Sequence, residues 1–386
     1  GPLPEPPLER LEHGEARGLA LGVGVGRQDH LLDLALADAF DQAIEPEVGE
    51  LGPLGGVQGG MYGLKAALRY VATDGAARQA IVIASDVAEY ARGSSGEPTQ
   101  GAGAVAMLVE ADPQLFQVEL AHAGSASAYR GPDFRKPFAR HFLGEAAGDR
   151  GRPHDFPVFS GRYSTFAYLD ETVHAVDHLL AKLGVAAKPY YRSLRALFFH
   201  RPYAMMPVQG VAFLLVRALL GEFNAADADR ERLDALCAAA GVALADVRAE
   251  AARSPDLFGQ LEADGAPADP YPATSALANH LRKSAWFQEL MGDRLSLGAA
   301  QAMELGNLYT ASLPAWLAAG FEAAAAEAED LAGAPMLAVG YGSGDAAEAW
   351  PVTVAPGWRA AAQKIGFGAA LADPMDLSEA EYAALH

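Results

Sequence analysis

Four short stretches of the chain combine residue types that can move protons, cap a helix or let backbone approach a ligand. Residues 85–108, SDVAEYARGSSGEPTQGAGAVAML, carry an apolar strand into a Gly/Ser loop before a small-residue strand returns. Open α/β sheets place ligands in such loops at the carboxyl ends of strands. A plain solvent-exposed connection has the same composition. Residues 198–206, FFHRPYAMM, put His200 at the end of an apolar strand and ahead of Pro202, which biases Arg201 towards an extended conformation. A histidine placed there titrates near neutrality and suits acid or base work, although a lone histidine is more often structural. In GNLYTASL (306–313), Asn307, Thr310 and Ser312 precede a helix, either as simple caps or aiming backbone N–H groups at a developing oxyanion. GYGSG (340–344) follows a strand with glycines that let backbone approach a ligand, with Ser343 among them, but lacks the helix pattern of a dinucleotide fingerprint. Thiol chemistry would fall to Cys237, the single cysteine, which sits on an apolar helical face and reads as a small buried residue.

The elements that must position these residues alternate. Strand patterns at 19–25, 80–84 and 102–109 are interleaved with helical ones at 30–43 and 61–71, the latter following a glycine-rich loop at 52–60. A second cycle has helices at 168–183 and 208–220, a strand at 194–199, and a final pair of strands at 335–340 and 350–354. Such alternation indicates an α/β sheet covered on both faces. Residues 222–271 are rich in Ala, Asp and Arg, helical in pattern and bounded by prolines, and read as an insertion. With 386 residues, 51% of them hydrophobic, the chain can fill one large domain or two fused halves. One cysteine excludes a disulfide framework and a cysteine-rich zinc site. Against 49 acidic residues there are 29 Lys and Arg, a net charge of −20 that argues against nucleic acid or an anionic membrane as the main partner. No apolar run is long enough to span a bilayer, and GPLPEPPLERLEHGE does not read as a signal peptide, so a soluble cytoplasmic protein is expected.

In order and wording the four stretches resemble the 3-hydroxy-3-methylglutaryl-CoA synthase family of the thiolase superfamily, as do GPDFRKP (131–137), GRYSTFAYLD (161–170) and LSEAEYAAL (377–385). The resemblance runs from about Leu19 to the C-terminus and is loosest over 222–271. It implies a five-layered α-β-α-β-α fold of two similar halves, here 1–160 and 161–386, commonly paired as a dimer. It also implies an acyl-thioester substrate carried on coenzyme A or phosphopantetheine, with no metal and no further cofactor. Against the family's pattern the chain reads as short by about a strand and a helix before Leu19. Loss, supply by another chain, and partial replacement by residues 1–15 are all open.

The family's reaction, as the resemblance implies it, starts from a cysteine at a buried helix N-terminus, where the thiol's pKa is lowered. An acetyl-thioester forms, a glutamate removes a methyl proton, and the carbanion adds to a ketone held near a histidine. His200 matches that histidine, Asn307 and Ser343 match the polar residues around the acyl group, and Ser164 and Tyr168 match an S-x-x-x-Y spacing near the acyl chain. Tyr203 follows in the same motif as His200, where Met205 replaces a lysine. The cysteine's place is taken by Met61 in GMYGLKAAL, with Lys65 in place of a threonine, and the glutamate's place by Val25 in GVGRQD, whose Asp29 survives. A thioether cannot form a hydrolysable acyl intermediate. Arg130, Arg135, Lys136, Arg140, Arg150 and Arg152 gather positive charge that suits the phosphates of coenzyme A or an acidic carrier protein, or else a solvated loop. Three functions are expected from these matches: cysteine-independent acyl-thioester chemistry, a non-catalytic partner in a biosynthetic complex, or an ordinary synthase aligned wrongly at Met61.

Overall fold

The computed structural model describes residues 17–24, 59–130, 134–135, 156–221, 227–342 and 346–385. Their secondary structure is α/β, as the alternation predicts. Strands β1 (Arg17–Gly24), β2 (Ala80–Ala88), β3 (Gly101–Glu110), β4 (Phe116–Val118) and β5 (Gly124–Ser127) come first, with helix α1 (Gly59–Ala72) crossing between β1 and β2. Helix α2 (Gly161–Leu183), strand β6 (Ala196–Phe199) and helix α3 (Met205–Leu220) follow. Residues 222–271 contribute α4 (Asp227–Ala240), α5 (Leu244–Ala251) and α6 (Leu257–Asp264), and α7 (Pro272–Leu281) opens on its proline, where the missing N–H costs nothing. Helix α8 (Ser312–Ala326), the hairpin β7 (Pro335–Gly342) and β8 (Ala346–Val354), and helix α9 (Glu379–Leu385) complete the order.

The strands form one mixed sheet in the order β2-β3-β1-β4-β8-β7-β6, with β5 added on β8. Among the described residues only β6 against β7 is parallel; the other ladders are antiparallel, and the two cycles meet where β4 and β5 pair with β8. β6 has all four residues buried, which suits a strand covered on both faces. In α1, Met61, Leu64, Leu68 and Val71 recur at helical spacing and are buried, while Tyr62 and Tyr70 face outward. α2 starts seven residues before the expected position 168 and stops at Gly184, whose left-handed φ of 64° closes the last turn. Among the described residues no helix is long and apolar enough to cross a membrane.

Candidate functional site

The described candidates fall into two sets. In the first, β6 delivers His200, whose N–H donates to the carbonyl of Val339 at 2.7 Å and so extends the β6–β7 pairing by one residue. The hydroxyl of Tyr168, on α2, donates to the carbonyl of His200 at 3.3 Å. The ring of Tyr341 lies 5.2 Å from that of Tyr168, edge to face, and 6.2 Å from that of His200. Burial drives the imidazole pKa down to about 3, so His200 is neutral across the physiological range. Among the described residues none hydrogen-bonds its ring nitrogens. The same burial raises the Tyr168 phenol. Tyr203 packs half-buried against this core, and Ser164 lies one helical turn before Tyr168, half-buried.

The second set surrounds the start of α1. Met61 is buried in the first turn, and Gly60 before it sits so close to the carbonyl of Thr310 that a Cβ would lie 2.5 Å from that oxygen. Only glycine allows this approach. Thr310 in turn donates its hydroxyl to Asp86 at 3.1 Å. Asn307 is buried within the same turn. Its carbonyl oxygen accepts from the N–H of Tyr309 and from the hydroxyl of Ser312, both at 3.0 Å, and its amide donates to the hydroxyl of Tyr90 at 3.2 Å. The expectation that Asn307, Thr310 and Ser312 cap α8 is therefore corrected: α8 has no side-chain cap, Asn307 and Ser312 satisfy the turn before it, and Thr310 turns to Asp86. The loop at 85–108 is also shorter than read, because β2 runs on to Ala88.

α8 joins the two sets. Trp316 on that helix meets Phe198 edge to face at 5.5 Å, and the Arg201 guanidinium stacks over Trp316 at 4.7 Å. The residues flanking His200 are thus fixed by the helix that the Asn307 turn launches.

Sequence reasoning missed a partly buried ion pair. Lys65, one turn after Met61, places its Nζ 2.6 Å from Oε1 of Glu348 on β8, and the other oxygen of Glu348 accepts from the Trp350 indole at 3.1 Å. A lysine on a buried helix face was the available signal, since such a group needs a carboxylate. Arg130 likewise leaves the proposed phosphate-binding patch: it is buried and holds Asp170 and, at 2.8 Å, Glu171. Cys237 is buried on α4, within residues 222–271 and not on α1, its thiol pushed up by burial. Val25, Ser343, Lys136, Asp29, Arg140, Arg150 and Arg152 lie outside the described residues, and of Arg135 only the backbone is described, in a two-residue ladder with Val158–Phe159.

No family model matches the chain. It is similar to the hydroxymethylglutaryl-CoA synthase of Haloferax volcanii, with 28% identity over 310 residues, covering 80% of this chain and 60% of that protein. The chain thus spans less than two thirds of that relative's length. Among solved structures, MvaS in complex with 3-hydroxy-3-methylglutaryl coenzyme A is similar at a TM-score of 0.64 and 25% identity, over 94% of this chain and 72% of that one. The curacin biosynthetic pathway HMG synthase in complex with apo donor-ACP shares the fold at a TM-score of 0.58 and 22% identity, over 94% of this chain and 68% of that one.

Proposed function

The chain belongs to the hydroxymethylglutaryl-CoA synthase family, with its thiolase-like α/β fold, and from that premise we propose that it binds an acyl thioester and acts on it without forming an acyl-cysteine. The observation that carries this reading is the start of α1. A methionine occupies the first buried turn, and the single cysteine is buried in a helix of residues 222–271. In this reading the halves are 1–160 and 161–386, and 222–271 is an insertion into the second.

The chemistry that suits the site is polarisation of a thioester carbonyl by neutral hydrogen-bond donors. A neutral imidazole at His200 can donate to such an oxygen, as can backbone N–H groups at the start of α1 beside Met61. Condensation, decarboxylation or acyl transfer directly from the thioester would each use that stabilisation. Tyr168 fixes the His200 backbone, and Ser164, Tyr203, Arg135 and Lys136 are the residues assigned to the carrier arm. That arm is coenzyme A or the phosphopantetheine of a carrier protein; the curacin relative was solved with a donor carrier protein. A cytoplasmic homodimer is part of the same reading. β2 is an edge strand in the sheet order, and Ile81 and Ile83 on it are exposed.

The test is incubation with acetyl-, malonyl- and acetoacetyl-CoA, followed by intact-protein mass spectrometry and measurement of thiol release. Turnover without an acetyl adduct, reduced in His200→Ala, is expected. A stable acetyl adduct on the protein would overturn the reading and favour an ordinary synthase.

One observation favours a second reading, the non-catalytic partner. The Asn307 carboxamide is already occupied at both ends, its oxygen by the turn and its amide by Tyr90, leaving less for a substrate. Thioester binding with no thiol release from any of the three, together with co-purification of a second chain, would establish that alternative.

A further inference from the structure

The C-terminal motif LSEAEYAAL is not used by the reaction, yet its tyrosine reaches the candidate site through a continuous hydrogen-bond route. α9 is started by reciprocal bonds: the Ser378 hydroxyl accepts from the N–H of Glu381 at 3.3 Å, and the Glu381 carboxylate accepts from the N–H of Ser378 at 2.8 Å. That fixes the next residue, Tyr382, over the loop between β2 and β3. Its hydroxyl donates to Oε1 of Glu97 at 3.0 Å and accepts from the Gln100 amide at 2.9 Å. The Arg92 guanidinium lies over its ring at 5.1 Å.

Gln100 and Glu97 then hold the loop from inside. The Gln100 side-chain carbonyl accepts from the N–H of Tyr90 at 2.8 Å, and Glu97 accepts from the N–H of Gly93 at 2.5 Å. Tyr90 is buried and meets the Asn307 amide through its hydroxyl. The backbone contact is equally close. The N–H of Asn307 donates to the carbonyl of Thr99 at 2.8 Å, and Gly306, at φ 70°, leaves no room for a Cβ beside the carbonyl of Gln100. Asn307 is thus clamped by a loop that has its own clamp in α9.

We propose that Tyr382 is a positioning residue: its hydroxyl fixes residues 90–100 against the 306–309 turn and thereby sets the orientation of the Asn307 carboxamide beside the start of α1. The proposal rests on the reading of Asn307 as a site residue for its functional consequence, and on the hydrogen-bond route alone for its structural one.

Two measurements on the full chain separate these. In hydrogen exchange, Tyr382→Phe keeps the ring under Arg92 but loses both hydroxyl bonds. Peptides covering 90–100 and 306–309 are expected to exchange faster while those of β7 and β8 keep their rates. Unchanged exchange at 90–100 and 306–309 would overturn the proposal. In titrations with acetyl-CoA, Tyr382→Phe is expected to weaken binding about threefold to tenfold, the loss of one or two hydrogen bonds. In an Asn307→Ala background the same substitution is expected to add nothing, since the two act in series. Equal losses in both backgrounds would overturn the route through Asn307. If Asn307→Ala alone leaves acetyl-CoA binding intact while the exchange result holds, the site assignment of Asn307 fails and the positioning role of Tyr382 stands.

Discussion

One helix, α2, serves two buried polar regions that handle charge in opposite ways. Tyr168 turns towards His200 and Tyr341, where every titratable side chain named is uncharged at neutral pH. Two and three residues on, Asp170 and Glu171 turn into an ionic seam with Arg130, closed on the other side by the hydroxyl of Tyr271 at the entrance to α7. Burial pushes Asp170 up, but bonds from His174 and Tyr271 and the charge of Arg130 outweigh it and hold the carboxyl below its usual range. Glu171 is left raised by burial, with Arg130 opposing and Asp170 adding to the rise. The seam docks residues 222–271 onto the core, and Glu250 on α5 adds a cap by accepting from the N–H groups of Ala273 and Thr274 at 2.9 and 2.7 Å. The lesson is that, among the described residues, the seam spends its buried charges on architecture, while the rings packed around His200 are those of tyrosines. Low-dielectric surroundings strengthen the pull of any dipole aimed at a ligand.

The largest expected effect lies in the seam. Arg130→Met leaves two buried carboxylates with no guanidinium, and breaking such a pair from one side costs about 3–5 kcal/mol. Urea unfolding at neutral pH should show a loss of that size, with part of it recovered in Arg130→Met/Glu171→Gln. A loss below about 1 kcal/mol would mean that the seam is solvated and that the contrast with the His200 region is false.

Lys65 and Glu348 form a more exposed ion pair than the seam, and the effect there should be intermediate. The Lys65 side chain is 18% exposed and that of Glu348 is 5% exposed. Lys65→Met should cost about 2 kcal/mol, less than a sealed pair, since water reaches the lysine side. The Tyr62 phenol, raised first by burial and then by Glu348 and Glu171, gives a local readout: with Lys65 gone, Glu348 is stranded, and Lys65→Met/Glu348→Gln should regain most of the loss. A double variant no more stable than Lys65→Met would show that the lysine acts by packing its stem and not by its charge.

Much of the frame was legible in the sequence, and these pairs were not, for one physical reason. Hydrophobic periodicity and proline or glycine punctuation are local, so α1, α3, β6 and the β7–β8 hairpin could be read from a dozen residues each. Lys65 and Glu348 are separated by 283 positions, and Arg130 and Asp170 by 40, so only the fold makes them neighbours. Asn307 was found by motif, but its commitment to Tyr90, Tyr309 and Ser312 depends on a turn geometry that residue types alone do not state. The basic run misled in the same way, because Arg130 counts as surface charge in a composition and as a buried anchor in the fold.

The finest test of the contrast is a pair of histidines, one in each region. His174 is raised, first by its hydrogen bond with Asp170, so its proton is favoured in the folded chain. Its contribution is therefore fully present below the unfolded pKa and is lost as pH rises through the folded one. His200 has the opposite sign. Its folded pKa is near 3 against about 6.5 unfolded, so the unfolded chain takes up a proton that the folded chain refuses, and stability falls as pH drops from 6.5 towards 3. Between roughly pH 7.5 and 5.5 that amounts to about 1.4 kcal/mol, visible as the difference in urea midpoint between the parent and His200→Gln. Ring carbon and proton shifts in NMR, assigned with His174→Gln and His200→Gln, should show His174 titrating above the ordinary value and His200 holding neutral down to the acid limit of folding. If His200 titrates near neutrality, its pocket is open to water and the imidazole regains the role of a proton carrier. A site that polarises a carbonyl with a neutral ring requires the other result.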